Sequence, residues 1–258
     1  MSKLPAEAQF FDASDYGRFI AVFLANRLKN TKLTPVHVTL LFGICGLIAV
    51  YCILKGHYVT AGFCLILKSI IDALDGELSR VKNTPSYTGR YLDSIFDIVL
   101  NFLFLAAIGS VAGTPFWLTL TAFFCLQLQG TLYNYYYVIL RHHSKDGDTT
   151  SQIFETEAPI AMLGENQKTV NVLFSIFYAL YGGFDKIIYS LDKDAYRIKT
   201  FPNWFMTLVS GYGLGFQLLL MAVLLALNLA AFIAPFFIVY SVFIVVLIGI
   251  RRTFLKVS

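Results

Sequence analysis

Charge is what this 258-residue chain has least of: 14% of its residues are Asp, Glu, Lys or Arg, against 57% hydrophobic. A soluble domain of this length needs far more polar surface, so that class is excluded. Cysteine is scarce too. The four, at 45, 52, 64 and 125, match neither a disulfide framework nor a zinc site and are expected to pack within apolar segments. The start lacks an apolar h-region, so no cleavable signal peptide is expected. No basic stripe with interleaved aromatics occurs outside the apolar runs, which argues against nucleic acid despite a net charge of +4. There is no internal repeat and no low-complexity stretch, which points to one membrane domain and disfavours a transporter or scaffold that merely keeps an ion site.

What is present is a series of apolar runs, with mean hydropathy +0.66. Segments 36–56, 58–79, 91–112, 115–140, 203–227 and 230–250 are each long enough to cross roughly 30 Å of hydrocarbon as a helix. They do not alternate in ten-residue pieces, so a β-barrel is excluded. The chain reads as an all-α polytopic membrane protein of six transmembrane helices.

A seventh stretch, 169–191, carries Gly182-Gly183 and Asp185-Lys186. With six crossings and a cytoplasmic N-terminus, Lys55 is the only basic residue in an external loop. Lys3, Arg18, Arg27, Lys29, Lys32, Arg80, Lys82, Arg90, Arg141, Lys145, Lys168, Arg251, Arg252 and Lys256 then fall inside. Seven crossings would turn Lys193, Arg197, Lys199 and the C-terminal cluster outward. Both termini are therefore expected in the cytoplasm, and 169–191 as an interfacial or re-entrant helix. Asp15–Asn30 reads as a basic amphipathic helix on the same surface, drawn to anionic lipid. Residues 1–32 form a cytoplasmic N-terminal segment and 33–258 the transmembrane domain. The sizeable polar stretch is His142–Lys168.

Between two apolar runs stands "DALDGELSRVKNTPSYTGRYLDSIFD", Asp72 to Asp97. Asp72, Asp75, Gly76 and Ser79 share one helical face, and Gly89, Asp93, Asp97 and Asn101 share one on the next helix. Thr84-Pro85-Ser86 turns the chain between them. Four carboxylates facing one gap at membrane depth need positive charge among them. An all-oxygen set suits Mg²⁺ or Mn²⁺, and two such ions about 4 Å apart can clamp a diphosphate. Gly76 and Gly89 leave room for a ligand near the backbone, and Arg80 can hold phosphate oxygens. Pairing with Lys68, Arg80 and Arg90 explains only part of so regular a pattern.

Asp72-x-x-Asp75-Gly76-x-x-Ser79-Arg80, eight residues, then Gly89-x-x-x-Asp93-x-x-x-Asp97 resembles the signature of the CDP-alcohol phosphotransferases, with Ser79 in place of the usual alanine. The family's architecture, six helices with the signature across the second and third, is similar. The resemblance implies that an alcohol attacks the β-phosphorus of a CDP-alcohol and releases CMP. It implies Asp72, Asp75 and Asp93 as metal ligands, and Asp97 completing the metal site and acting as general base. Gly76, Ser79 and Gly89 would line the cytidine pocket, and Arg80 would contact the donor phosphates. The active site would face the cytoplasm, and a homodimer is common in the family.

Upstream, "LTPVHVT" (Leu33–Thr39) departs from the family's usual Pro-Asn pair. His37 reads as a helix-entry residue at the water boundary. Lys68, one turn before Asp72, is either an internal partner for Asp72 or part of an acceptor pocket with Arg90 and Arg141. The tyrosines of "YNYYYVILRHH" (Tyr133–His143) read as an interfacial belt rather than an ammonium cage, with His142 and His143 solvated. Gly211, Gly213 and Gly215 resemble a small-residue packing seam. Glu155, Glu157, Glu165 and Asn166 fit no motif. Among family chemistries, the short six-helix chain favours CDP-diacylglycerol as donor, with CDP-choline, CDP-ethanolamine or CDP-inositol as alternatives. The sparse basic residues favour a neutral or aminoalcohol acceptor. An intramembrane prenyltransferase ranks low, since its two aspartate motifs lie far apart in sequence.

Overall fold

The computed structural model describes Leu4, residues 8–143, Ile153 and residues 155–255. Lys3, Lys145, Lys256 and most of 144–154 in the His142–Lys168 stretch lie outside the described residues. Among the described residues the regular structure is helical, with no strand. A 3-10 turn (Ala13–Asp15) leads into α1 (Arg18–Leu28), followed by α2 (Pro35–Leu54), α3 (Tyr58–Lys82), α4 (Tyr87–Val111) and α5 (Phe116–His143). Then come α6 (Gln167–Leu191), α7 (Asn203–Ser210), α8 (Leu214–Ala226), α9 (Ala230–Tyr240) and α10 (Val242–Phe254).

Local sequence sets the helix ends that matter for the site. Thr34 and His37 form a reciprocal cap at the start of α2: the Thr34 hydroxyl takes the His37 N–H, and His37 Nδ1 takes the Thr34 N–H at 3.0 Å. That is the helix-entry role expected of His37. Helix α3 closes on Asn83 in the left-handed conformation, φ 52°, a backbone region Asn tolerates better than most residues. Pro85 cannot continue the helix, and the Ser86 hydroxyl accepts the Gly89 N–H at 2.9 Å to open α4. The two acid-bearing helices are thus joined by a tight turn, and each packs on α2.

By length and composition, α2, α4, α6 and the run Ala230–Phe254 can cross a membrane, and α7 with α8 can do so as a pair bent by 46°. Helices α3 and α5, of 25 and 28 residues, are long enough but less apolar. Their polar residues turn inward: Lys68 and Glu77 of α3, and Gln127, Gln129 and Arg141 of α5, are buried. The chain is thus an all-helical integral membrane protein.

Helix α6 needs a separate account. It is continuous through Gly182-Gly183, so no re-entrant break occurs there. Its two ends are held on one side of the bundle. Just before it, Glu165 accepts from Ser86 and Thr88 at the start of α4. Just after it, the Tyr196 carbonyl lies 3.3 Å from a ring nitrogen of His143, the last residue of α5. Since α3, α4 and α5 alternate in direction, the start of α4 and the end of α5 lie on the same side. Between these tethers α6 packs against α4 and α5.

The largest core unites α1 to α5 with α8 and α9. At Gly62 a methyl would sit 2.9 Å from the Ala222 carbonyl oxygen, so α3 and α8 touch backbone to backbone. The tyrosines at the end of α5 differ from expectation. Tyr135, Tyr136 and Tyr137 are buried in a second core rather than forming a belt. The reason is that their neighbourhood supplies polar partners: Tyr135 and Tyr136 donate to Asp192, through its carbonyl and its carboxylate respectively. The cysteines are free, with three buried and Cys125 half-buried, as packing residues.

Candidate active site

Facing stripes of α3 and α4 bring Asp72, Asp93 and Asp97 together, with one oxygen of each within 4.8 Å of the others. Asp75 stands slightly apart: its Oδ2 accepts the Thr39 hydroxyl of α2 at 2.6 Å, and it interacts electrostatically with Asp93. Asp93 Oδ1 is buried with no hydrogen-bond partner. A carboxylate oxygen orphaned beside two others is costly unless a cation completes it. An all-oxygen donor set with this gap fits a hard divalent ion.

One positive charge is built in. The Lys68 ammonium, 1% exposed, donates to Asp72 at 2.9 Å and to Asp97, and rests 4.4 Å from the Phe42 ring centre. The internal partnership with Asp72 is present and extends to Asp97.

A cavity of about 480 Å³ opens beside the aspartates. Asp72, Asp93 and Asp97 line it together with Arg90 and Arg141, two of the three residues expected in an acceptor pocket, while Lys68 does not. Asp75, Gly76, Ser79, Arg80 and Gly89 lie outside its lining, around the α3–α4 turn. There the Arg80 guanidinium pairs with Glu77 at 2.7 Å and passes 3.7 Å from where a Gly76 methyl would be. The Ser79 hydroxyl donates to the Thr84 carbonyl at 2.9 Å, so it braces the turn. Gly89 gives its N–H to the Ser86 cap.

Several residues around the site escaped the sequence reading. Glu77, buried, takes both Arg80 and Arg18, each at 2.7 Å. Glu155 pairs with Arg90 and accepts from the Tyr91 hydroxyl at 3.1 Å. Glu165 accepts from the Ser86 hydroxyl at 2.7 Å and from the N–H groups of Tyr87, Thr88 and Met162. Burial pushes the Glu165 carboxyl up, but the donors from Thr88, Ser86 and Met162 outweigh it and hold the group below its ordinary value.

The N-terminal strap also builds the cavity wall, through Asp12, Ser14, Asp15 and Arg18. Asp12 accepts the N–H and the hydroxyl of Ser14, at 2.9 and 2.7 Å. This Asp-x-Ser turn was the one local signal for the strap. Gly213 and Gly215 admit it: a methyl on either would collide with Ser14.

A family model for CDP-alcohol phosphatidyltransferases matches residues 32–192, more than half of the chain and all of the aspartate cluster. The chain belongs to the CDP-alcohol phosphatidyltransferase family. It is also similar to a bifunctional IPC transferase and DIPP synthase of Thermococcus kodakarensis (strain ATCC BAA-918 / JCM 12380 / KOD1), 34% identical over 93 residues. That match takes in 36% of this chain and 21% of the relative, so the chain spans about a fifth of the relative's length.

Proposed function

We propose that the chain transfers the phosphoryl-linked group of a CDP-linked donor, CDP-diacylglycerol in first place, to a small polar alcohol in a membrane of phospholipid synthesis. The observation that carries this reading is the Asp72, Asp93 and Asp97 cluster at the edge of a cavity inside a helical membrane bundle. In the reaction the acceptor oxygen bonds to the β-phosphorus, the bond from that phosphorus to the bridging oxygen breaks, and CMP leaves with the bonding electrons. Asp97 takes the hydroxyl proton, as general base. Mg²⁺ or Mn²⁺ held by Asp72, Asp75, Asp93 and Asp97 would neutralise charge on the diphosphate. Arg80, Gly76, Ser79 and Gly89 are proposed on the nucleotide side, and Arg90 and Arg141 on the acceptor side.

Arg141 and Lys186 also line the cavity, but the pairing of its other two arginines favours a neutral or aminoalcohol acceptor over a phosphorylated one. Arg90 is engaged by Glu155, and Arg18 by Asp15 and Glu77. Asp185 adds another carboxylate to the wall. A phosphorylated acceptor would call for a cluster of basic side chains turned to the ligand.

The proposed topology has six crossings: α2, α3, α4, α5, α7 with α8, and α9 with α10. Helices α1 and α6 lie at the surface, and the termini and site face the cytoplasm. Support comes from the tethering of both ends of α6 on one side and from the exposed Phe19 and Phe23 of α1. Residues 1–32 are then the surface segment and 33–258 the transmembrane domain.

The test is CMP release by the purified protein in lipid with Mg²⁺ or Mn²⁺. CDP-diacylglycerol, CDP-choline, CDP-ethanolamine and CDP-inositol are supplied in turn with mixed acceptors. Release from CDP-diacylglycerol alone is expected. Release from another donor alone would reassign the donor, and no release from any would contradict the transferase reading.

A further inference from the structure

Metal clamping by four aspartates makes no use of Lys68. Its placement is specific. It sits one helical turn before Asp72 on the face of α3 that meets α4, with its side chain 1% exposed. Its ammonium donates to Asp72 and to Asp97, and the third side is closed by the Phe42 ring at 4.4 Å. A buried ammonium is retained where carboxylates and an aromatic face replace its water. It does not line the cavity, so it is not placed to meet an acceptor.

This makes the acidic cluster uneven. Between Asp72 and Asp97 a cation is already present. Asp93 Oδ1 is buried with no hydrogen-bond partner, and Asp93 feels the Lys68 charge without the direct pairing that Asp72 and Asp97 have. An ion bound among Asp72, Asp93 and Asp97 would share two of its ligands with a fixed positive charge, and like charges at that range oppose each other strongly.

We propose that the Lys68 ammonium is a resident cation of the cluster, standing where one divalent ion would bind between Asp72 and Asp97. The chain then holds one Mg²⁺ or Mn²⁺ tightly, on the Asp93 side, and a second only by displacing the lysine from its carboxylates. This rests on the metal-dependent reading of the cluster and adds an inequality between its two ion positions. Lys68 is a positioning residue in this account, acting through Asp72 and Asp97.

The test is Mn²⁺ binding to the full chain in detergent or nanodiscs, without substrate, by titration calorimetry and by the paramagnetic resonance of free Mn²⁺. The wild-type protein is expected to bind one ion, with a second needing at least about tenfold more Mn²⁺. Lys68→Met, which keeps length and loses charge, should tighten the second ion by about tenfold or more. Lys68→Arg should keep the unequal pattern. Two equal ions in the wild type would overturn the proposal alone, as would a Lys68→Met protein with unchanged second-ion affinity. If Lys68→Met does not fold, the wild-type stoichiometry and Lys68→Arg still decide. No Mn²⁺ bound by the wild type would overturn both the proposal and the metal-dependent reading beneath it.

Discussion

Asp192 is fully buried at the end of α6, where its carboxylate accepts from the Tyr136 hydroxyl and from Arg251 Nε, each at 2.7 Å. Arg251, 4% exposed, comes from the last helix, and the Tyr135 hydroxyl reaches the Asp192 carbonyl at 3.1 Å. This cluster ties α5, α6 and α10 together. Asp192→Ala leaves a guanidinium buried without its carboxylate and a tyrosine hydroxyl without its acceptor, a loss of about 3–5 kcal/mol. Arg251→Met leaves the carboxylate with the Tyr136 hydroxyl and with Arg252 at 3.6 Å, and should cost less, about 2–3 kcal/mol. The double variant buries neither charge, so it should cost less than the sum of the singles by about 2–3 kcal/mol. The assay is SDS-driven unfolding in mixed micelles, followed by intrinsic fluorescence. Because α6 carries Tyr178, Tyr181 and Asp185 to the cavity, Asp192→Ala should also raise KM for the acceptor more than for the donor. A cost for Asp192→Ala below about 1 kcal/mol, or singles that simply add, would refute the cluster as a tether.

Glu165 is held below its ordinary value, so its contribution to stability is complete above the unfolded value near 4.5 and fades as pH falls through the lower folded value. Acid unfolding of Glu165→Gln should therefore depend less on pH in that window than that of the wild type. Gly215→Val should displace the Ser14 strap and cost about 1–3 kcal/mol by overpacking, read as a lower unfolding midpoint and faster proteolysis near residue 14. Ser79→Ala restores the residue usual in the family. It removes only the brace to Thr84, so CMP release should stay within about threefold and stability within about 1 kcal/mol.

The aspartate cluster was legible because it is local. Spacings of three and four place side chains on one helical face whatever surrounds them, and the tight turn returns α4 so that its acidic stripe faces that of α3. The single turn between Lys68 and Asp72 gave half of the Lys68 contacts. The other half, to Asp97, needed the register between the two helices. Glu77 lay inside the signature with one local signal, Arg80 three residues on, while its second partner, Arg18 of α1, is a tertiary contact. Glu155 and Glu165 act on α4 from some 65 and 79 residues away, and no spacing rule spans such a distance. The Gly213 and Gly215 seam was visible as small residues, but its occupant, the Ser14 strap, is a tertiary fact. The tyrosines of α5 misled because apolar faces with polar tips suit a membrane interface and a polar protein interior equally well, and only Asp192 distinguishes the two.

The most direct test of the central claim compares CMP release by wild type, Asp93→Asn and Asp97→Asn, each first shown to be folded by size exclusion in detergent. Loss of about two to four orders of magnitude in both variants, at unchanged elution and with excess donor, acceptor and Mn²⁺, is the predicted result. Release within about tenfold of wild type in either variant would contradict the assignment of that aspartate to the reacting centre.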